Sequence, residues 1–319
     1  MNKIAAVVVT YNKKDLLVNS IQGLLRQELL PSSIIIVDNC STDGTIEILL
    51  KNGWINPQNH FSENQNIYSS KKFIFENKSE VDIEYIKKFE NDGGAGGFYL
   101  GMKHAYNSGA DWVWLMDDDG VADKNELKHL IKANLHTKIE YLNALVVDID
   151  NTKLLSFGLK GYQKVEDIKE KDYILDEANP FNGTLISKNI ISKIGFVKKE
   201  MFIWGDESEY LNRVKKNNFK VATVLNAKHM HPQNKGVELR VFSFLAKPSL
   251  VIKPSNRAKI YYRNLGFLKK EYGSKKDIVF TYILYTTFFL TRFKFKSFYV
   301  FTKSFFNGLN NNFNSSLIK

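Results

Sequence analysis

Short apolar runs alternate with amphipathic segments through the first part of the chain. Three runs, at residues 4–9, 34–37 and 112–116, are continuous rather than alternating, which is typical of parallel strands covered on both faces. Residues 83–89 predict a further strand. Helical spacing or helix-capping residues follow, at residues 14–27, 41–50, 98–106 and 123–135. This order predicts an α/β fold with a mostly parallel, doubly wound sheet and helices on both faces.

A polar turn follows each of these strands. The turns are Thr10-Tyr11-Asn12, Asp38-Asn39, Asn91 with a glycine run, and Asp117-Asp118-Asp119. Because the carboxyl ends of parallel strands share one edge of a sheet, we expect these turns to form a single site. Tyr11 offers a ring on which a base can pack, and Asp38 can accept hydrogen bonds from a base N–H or a ribose hydroxyl.

The glycine run supports close approach of backbone to a ligand at this edge. Its glycines stand at positions 93, 94, 96 and 97. The order Gly-Gly-Ala-Gly-Gly does not fit the G-x-G-x-x-G fingerprint, and it follows the third strand rather than the first. We therefore do not interpret it as a dinucleotide site.

The aspartate turn predicts a metal site. On an extended backbone Asp117 and Asp119 point to one side and Asp118 to the other. Two neighbouring carboxylates repel each other unless a cation lies between them, and Mn²⁺ or Mg²⁺ suits such oxygen ligands together with a diphosphate. The alternative is a solvated acidic turn. A late strand ends in two histidines, and we expect His229, rather than His231, to be the third ligand.

A second acidic pair, Asp206-Glu207, opens a later helix just after Trp204. A carboxylate there can take a proton from an acceptor hydroxyl. The alternative is an acidic pair that only interacts favourably with the helix dipole. We expect the acceptor and sugar pocket to be lined by residues from three separate segments, namely Asn182, Gly183, Trp204 and His231.

Charge is unevenly distributed along the 319 residues. The net charge is +11, and residues 253–319 carry thirteen Lys or Arg against two acids, which leaves the rest of the chain neutral. The basic segment therefore predicts a local anionic partner. The single cysteine, Cys40, suits a reducing compartment, and residues 1–12 do not form a secretory signal.

The C-terminal segment combines this charge with aromatic residues. Residues 278–291 are uncharged, but they are fewer than the roughly 20 apolar residues that span a bilayer, so no transmembrane helix is predicted. Residues 292–299 interleave basic and aromatic side chains, as suits an anionic membrane surface. The alternative is a packing helix with snorkelling lysines. Nucleic-acid binding is indicated by charge alone, and we do not expect it.

Five motifs in order resemble the family 2 inverting glycosyltransferases with the GT-A fold, and within them the galactofuranosyltransferase and rhamnosyltransferase branch. The motifs are Val7-Val8-Val9-Thr10-Tyr11-Asn12, Val37-Asp38-Asn39, Asn91-Asp92-Gly93-Gly94-Ala95-Gly96-Gly97, Leu115-Met116-Asp117-Asp118-Asp119 and Trp204-Gly205-Asp206-Glu207-Ser208-Glu209-Tyr210. The resemblance covers roughly residues 3–235. We divide the chain into a catalytic domain, residues 1–240, and a basic, aromatic-rich helical region, residues 241–319.

The resemblance implies a role for each matching position. Donor-binding residues would be Thr10, Tyr11, Asn12, Asp38, Asn39, Asn91, Gly94, Gly97, Asp117 and Asp118. Metal ligands would be Asp117, Asp119 and His229. Glu207 would be the catalytic base; the family pair is often Glu-Asp or Asp-Asp, so the order Asp206-Glu207 leaves Asp206 as an alternative.

The implied activity is metal-dependent, inverting transfer of a hexosyl group. The donor would be UDP-galactofuranose and the acceptor a hydroxyl of a growing, lipid-linked surface polysaccharide such as a capsule. The alternatives are a dTDP-rhamnose-dependent rhamnosyltransferase and a non-catalytic nucleotide-sugar-binding protein. The expected location is cytoplasmic, peripheral at the inner face of the plasma membrane.

Overall fold

The chain forms two compact units in the computed structural model, which describes residues 2–56, 60–61, 67–75, 79–179, 181–233, 238–240, 249–254 and 257–313. The first unit comprises Met1–Lys199 and Arg213–Asn234, and the second comprises Glu200–Asn212 and Lys235–Lys319. Residues 200–212, with both candidate base residues, therefore belong to the second unit. The domain boundary expected after residue 240 borders on residues 241–248, which lie outside the described residues.

Strands and helices alternate in the order that the apolar runs predict. In chain order they are β1 (Ile4–Thr10), α1 (Lys14–Leu25), β2 (Ser33–Asp38), α2 (Thr45–Lys51), β3 (His60–Phe61), β4 (Ile67–Ile74), β5 (Glu80–Lys87), α3 (Gly93–Asn107), β6 (Trp112–Asp117), β7 (Val121–Ala122), α4 (Glu126–Thr137), β8 (Tyr141–Asp148), β9 (Leu154–Leu159), β10 (Tyr162–Lys164), β11 (Tyr173–Leu175), β12 (Thr184–Ser187), α5 (Lys188–Ile194), α6 (Asp206–Lys216), β13 (Val221–His231), β14 (Glu238–Arg240), β15 (Ser249–Val251), α7 (Ala258–Tyr272), α8 (Lys275–Leu290) and α9 (Phe295–Leu309).

The central sheet of the first unit is built around β1, and its mostly parallel core confirms the predicted α/β class. Strands follow the order β10-β9-β8-β12-β6-β1-β2-β5-β4-β3. β1 pairs in parallel with β2 and β6, and β2 pairs in parallel with β5. Thr10 is level with Asp38, and Val9 with Asp117, so the expected polar turns leave the sheet at one edge.

Antiparallel strands extend this core on both sides. Residues 52–80 are rich in Asn, Ser and Lys, and their described part includes β4, which pairs antiparallel with β5. Ser and Lys are frequent in β4, as is common for strands near a sheet edge. On the other side β12 lies antiparallel between β6 and β8.

Strand β13 brings two histidines toward the turn after β6. It runs parallel to β8, with an irregularity between Val224 and Lys228. Its last residues then pair antiparallel with β7, where His229 is level with Ala122. This path places the end of β13 beside the aspartate turn.

The glycine run forms the first turns of α3 instead of a loop. A Cβ at Gly97 would overlap the Val9 side chain, and one at Gly101 would overlap Val7. These glycines therefore let α3 pack closely on β1. Gly94 differs, because a Cβ added there would have no heavy atom of the described residues within 4 Å.

Helices dominate the second unit, which confirms the predicted basic, aromatic helical region. Its core contains Tyr262, Tyr285, Phe289, Phe301 and Phe305. The Tyr285 and Phe301 rings stack with their centroids 4.7 Å apart, an arrangement that adds to simple area burial. Among the residues that the structure describes, no helix is both long enough and apolar enough to cross a bilayer.

Candidate functional site

The carboxylate turn and the end of β13 form a compact cluster in the first unit. Asp117 ends β6, and Asp118 and Asp119 lie in the turn that follows. One ligand atom from each of Asp117, Asp119 and His231 lies within 4.8 Å of the other two. The structure thus brings the two expected aspartates together with His231 rather than with His229.

His231 is oriented by hydrogen bonds from both ring nitrogens. Nδ1 lies 2.7 Å from the carbonyl oxygen of Pro232, and because a carbonyl only accepts, Nδ1 carries a hydrogen. Nε2 lies 3.1 Å from Asp119 Oδ1. Nε2 is therefore the nitrogen available to a ligand of the cluster, with Nδ1 fixing the ring as backbone carbonyls do for many metal-binding histidines.

Interactions between oppositely charged groups in this cluster favour the charged forms of Asp119 and His231. Burial alone would raise the pKa of Asp119, but the hydrogen bonds and positive charges of His231 and Lys13 hold that pKa below its usual range. Burial alone would lower the pKa of His231, but Asp119 and Asp117 raise it. Asp119 therefore keeps the negative charge that a cation ligand requires.

Lys13 supplies a cation at the same place. Its Nζ lies 2.6 Å from Asp119 Oδ2 and 3.4 Å from Asp118 Oδ1. Burial lowers the pKa of Lys13 less than the neighbouring aspartates raise it, so the amine is held charged. Lys13 directly follows the turn Thr10-Tyr11-Asn12, but sequence analysis did not single it out.

Asp118 has a structural position within the cluster. Its Oδ2 accepts a hydrogen bond of 2.8 Å from Thr10 Oγ1 and one of 3.2 Å from the Tyr11 amide. Asp118 and Thr10 are both buried, whereas the Tyr11 ring is 42% exposed. Of these three expected donor residues, Tyr11 alone presents an open surface, while Thr10 and Asp118 hold the turn after β1 against the turn after β6.

Asp38, in the second polar turn, forms its hydrogen bonds within the protein. Asp38 is fully buried, and its oxygens accept hydrogen bonds from the Ser41 amide at 2.7 Å and the Tyr85 hydroxyl at 2.7 Å. This differs from the expected contact with a base or ribose. Asn12 likewise joins the turn after β1 to the turn after β2. Its backbone amide donates to Ser41 Oγ, and its side-chain Oδ1 accepts from the Thr42 backbone amide.

The third polar turn starts α3. Asn91 Oδ1 accepts a 2.8 Å hydrogen bond from the Gly93 amide, and Asn39 Nδ2 donates to the Gly93 carbonyl at 3.0 Å. Gly97 lies against Val9, so its role is packing. Asn91 and Gly94 are partly exposed and remain candidates for donor contact, whereas Asn39 is buried.

His229, the expected third ligand, is instead a buried partner of Glu126. Both side chains have no exposed surface, and His229 Nδ1 lies 3.1 Å from Glu126 Oε2. Burial raises the pKa of Glu126, and His229 opposes that shift. The correction follows from geometry: Nδ1 is engaged with Glu126, and Nε2 points at Gly120, where a Cβ would overlap it.

The expected sugar-pocket residues Asn182 and Gly183 lie beside this buried pair. Gly183 has φ +72°, and a Cβ there would overlap Glu126 Oε1, so only glycine fits. Neither polar atom of the Asn182 amide has a hydrogen-bond partner among the described residues. In the structure these two residues support the aspartate turn from behind, and His231, expected in the pocket, joins the aspartates.

The carboxylates of Asp206 and Glu207 belong to the second unit. Asp206 is 2% exposed, whereas Glu207 is partly exposed, so Glu207 is the more accessible candidate for proton transfer. Two residues of the preceding loop adopt left-handed backbone conformations that non-glycine residues avoid: Phe202 has φ 67° and Trp204 has φ 62°. This loop is therefore held by contacts from elsewhere in the unit.

Those contacts come from helix α7. Asn264 Nδ2 donates to the carbonyls of Met201, Ile203 and Trp204 at 2.9–3.0 Å. Arg263, which is fully buried, donates to the carbonyl of Met201 at 3.0 Å. The two side chains thus supply hydrogen bonds to backbone carbonyls of the loop that carries Trp204 and leads into Glu207. No local sequence pattern indicates this role.

Lys253 also lies beside the loop. Its Nζ is 4.8 Å from the centroid of the Trp204 ring and 5.8 Å from that of Tyr261, distances at which a cation is attracted to an aromatic face. Burial lowers the pKa of Lys253, while the charge of Glu207 acts in the opposite direction. A cation thus flanks Trp204 in the loop that leads into Glu207.

The cluster of Asp117, Asp119 and His231 has donors that fit a divalent metal ion. Two carboxylates and one oriented imidazole nitrogen already converge, and the cluster attracts a cation, as the position of Lys13 shows. Carboxylate oxygens favour Mn²⁺ or Mg²⁺ at a site shared with a phosphate. The donor set therefore fits the expected cofactor, with His231 in place of His229.

A family model matches two segments of the first unit. Residues 5–56 and 70–156, which include the polar turns and the aspartates, match the family model for glycosyl transferase family 2. The chain is a glycosyltransferase similar to family 2. The match includes β1 and β6, whose ends carry the turn Thr10-Tyr11-Asn12 and the three aspartates, whereas His231 lies outside it.

Curated relatives match over most of the chain. It is 29% identical over 293 residues to galactofuranosyltransferase GlfT1 of Mycobacterium tuberculosis, covering 89% of this chain and 88% of that protein. It is 28% identical over 301 residues to GlfT1 of Mycolicibacterium smegmatis, covering 90% and 89%. The similarity to these galactofuranosyltransferases therefore extends well beyond the residues that the family model matches.

Solved structures confirm the GT-A fold. Residues 1–349 of Staphylococcus aureus TarS superpose with a TM-score of 0.52 at 14% identity, covering 90% of this chain and 70% of that one. The Pyrobaculum calidifontis mannosyltransferase PcManGT, in complex with GDP-Man and Mn²⁺, gives a TM-score of 0.52 at 13% identity, covering 95% and 73%. At these identities the likeness concerns the fold.

Proposed function

We propose that this glycosyltransferase transfers galactofuranose from UDP-galactofuranose to a hydroxyl of a lipid-linked surface polysaccharide, with inversion and with Mn²⁺ or Mg²⁺. The observation that carries the proposal is the convergence of Asp117, Asp119 and His231 at the edge of the parallel sheet. The similarity to two galactofuranosyltransferases over about nine-tenths of the chain supports the choice of sugar.

Each residue of the first unit would have a defined task. Asp117, Asp119 and His231 would hold the metal ion, which when bound neutralises charge on the diphosphate leaving group. Tyr11, with its exposed ring, would pack against the base. Lys13, already charged at the cluster, would pair with a phosphate oxygen as the donor enters.

Glu207 would act as the general base. The acceptor hydroxyl oxygen forms a bond to the anomeric carbon as the bond from that carbon to the diphosphate oxygen breaks. The hydroxyl proton passes to the Glu207 carboxylate, and UDP leaves with the electron pair of the broken bond. A single displacement of this kind inverts the anomeric configuration, and the partial exposure of Glu207 supports its access to a hydroxyl.

Donor turnover by the purified full chain tests the proposal. UDP-galactofuranose, UDP-galactopyranose and dTDP-rhamnose are supplied with Mn²⁺ and a lipid-linked acceptor extracted from membranes, and products are followed by mass spectrometry. We expect transfer from UDP-galactofuranose, loss of transfer with EDTA, and restoration by Mn²⁺. Turnover of dTDP-rhamnose instead would make the protein a rhamnosyltransferase. Metal-dependent UDP binding with no turnover of any donor would make it a non-catalytic binder.

Glu207→Gln, compared with Asp206→Asn, tests the base. Transfer by Glu207→Gln should fall by roughly 10²–10⁴-fold, the usual contribution of general base catalysis, with UDP affinity retained. Loss of transfer in Asp206→Asn but not in Glu207→Gln would assign the base to Asp206.

We also propose that the protein is cytoplasmic and lies at the inner face of the plasma membrane through its second unit. Phe293, Phe295 and Tyr299 are 80%, 61% and 64% exposed, and Lys294 and Lys296 alternate with them. Exposed aromatic rings among lysines suit an anionic lipid interface. Flotation with phosphatidylglycerol vesicles but not with neutral vesicles is expected, and retention on DNA without flotation would contradict it.

A further inference from the structure

The second unit contains a cavity that the proposed transfer reaction does not use. Its volume is about 530 Å³, within the range of cavities that bind small ligands. The cavity is lined by residues of β14, the segment after β15, α7, α8, and α9 with the residue before it. These are Leu239, Ile252, Lys253, Ala258, Tyr262, Phe288, Phe289, Lys294, Lys296, Ser297 and Val300.

The walls and the charged groups of this cavity differ in character. Most lining side chains are aliphatic or aromatic, and the described lining contains no carboxylate. The charged groups are Lys253, Lys294 and Lys296, none of which forms a salt bridge with a described residue. The first turn of α9, where Lys296 and Ser297 lie, has no acidic residue either. An apolar ligand part and an anionic ligand part are therefore both accommodated.

This combination selects a narrow class of ligand. A free sugar or a nucleobase is normally recognised by carboxylates or amides, and the described lining provides neither. A hydrocarbon chain is matched by the walls, such as Ile252, Phe289 and Val300, and a phosphate is matched by lysine ammonium groups. Phe293 and Phe295, both exposed, precede and separate the lysines in sequence, so a lipid chain can enter among residues suited to a membrane interface.

We propose that this cavity binds a single-chain lipid phosphate, the anchor of the saccharide acceptor, with Lys294 and Lys296 on the phosphate and the apolar walls on the first part of the chain. The inference rests on the proposed function for the identity of the anchor as part of the acceptor. Lys253 lines the cavity and also lies over the Trp204 ring, in the loop that leads into Glu207. Within the second unit, the lipid phosphate and the candidate base therefore share a neighbouring residue.

Binding of decyl phosphate below its micelle concentration tests the proposal on the full chain. Isothermal titration compares it with decanol, which lacks the phosphate, and with inorganic phosphate, which lacks the chain. We expect decyl phosphate to bind at least about tenfold more tightly than either, since removing one part removes the lysine contacts or the apolar contacts.

Two variants and one matched control locate the binding. Lys294→Gln with Lys296→Gln should weaken decyl phosphate binding by about tenfold or more. Lys275→Gln with Lys276→Gln removes the same charge from exposed lysines at the start of α8, outside the cavity, and should change the affinity less than about twofold. Val300→Trp should weaken binding by filling the cavity, and thermal unfolding checks that each variant is folded.

Several results would overturn the assignment. Equal losses in the two lysine pairs would assign the effect to the general charge of the unit. Equal binding of decanol, or displacement of decyl phosphate by short single-stranded DNA, would point to a hydrophobic or nucleic-acid contact instead. Failure of the proposed function is separate: transfer to a lipid-free acceptor without decyl phosphate binding refutes the cavity alone, and decyl phosphate binding without transfer from any donor refutes the enzyme activity alone.

Discussion

Two clusters in the first unit are built from the same side-chain types and lie two residues apart along β13. The inner cluster pairs His229 with Glu126, and both side chains are fully buried. The outer cluster joins His231 with Asp119 and Asp117 at the sheet edge, where the side chains keep partial exposure. The difference lies in depth: the buried pair is closed to any ligand, whereas the edge cluster remains accessible to a cation.

The largest expected effect separates the aspartates of the outer cluster. Asp119→Asn removes a metal ligand and should lower the rate of transfer by about 10³-fold or more, because charge stabilisation by a metal is worth several kcal/mol. Asp118→Asn should lower it far less, since an amide oxygen still accepts from Thr10 and Tyr11. Steady-state transfer rates with saturating Mn²⁺ measure both, and equal losses would contradict the assignment of Asp118 to structure.

Replacing each histidine by alanine should separate an effect on stability from an effect on Mn²⁺ binding. His229→Ala leaves Glu126 buried without its partner and should lower the free energy of unfolding by about 3–5 kcal/mol. His231→Ala should change it by less than about 1 kcal/mol while weakening Mn²⁺ binding about 10–100-fold. Urea unfolding and Mn²⁺ titration measure the two quantities, and a reversed pattern would restore His229 as the metal ligand.

A double-mutant cycle sharpens the inner cluster. Glu126→Gln and His229→Gln are each destabilising, but the combined variant should be more stable than the sum of the single losses predicts, by about 1–3 kcal/mol, because the two side chains contact each other. Urea unfolding of the four proteins gives this coupling energy. Additive losses would mean that each residue stabilises the turn independently.

The smallest expected effect concerns Lys13. Its side chain is 42% exposed, so its ion pairs with Asp118 and Asp119 contribute at most about 1 kcal/mol. Lys13→Gln removes a cation that competes for the same oxygens, and it should strengthen donor-free Mn²⁺ binding by about fivefold at most. Weaker Mn²⁺ binding in this variant would show that Lys13 supports the metal site rather than competing for it.

The sheet and its polar edge could be predicted from sequence because continuous apolar runs and the turns after them are local features. The identity of the histidine could not. His229 and His231 point to the same side of an ideal strand, and they differ only by an advance of about 6.6 Å along it. The depth at which each histidine lies depends on Glu126 and Gly120, which are remote from both histidines in sequence. It also depends on the irregularity of β13 between Val224 and Lys228.

The remaining differences have the same physical origin. Asp38 has the position expected of a nucleotide ligand, but the Tyr85 hydroxyl, 47 residues away, occupies one of its oxygens. The glycine run predicts close approach of backbone to a ligand, whereas Gly97, one of its residues, lies inside α3 and packs closely on Val9. Polar partners that are distant in sequence leave no local periodicity by which to find them.

The hydrogen bonds from α7 to the loop before Glu207 set a condition for exchanging parts between relatives. Arg263 and Asn264 donate to the carbonyls of residues 200–204, so this loop and the C-terminal helices form one interchangeable module although the sequence separates them. A chimera with a single junction near residue 234 would combine the loop of one parent with the Arg263 and Asn264 side chains of the other. Exchange of the whole second unit between relatives therefore requires two junctions, and the candidate base is inherited with the helices.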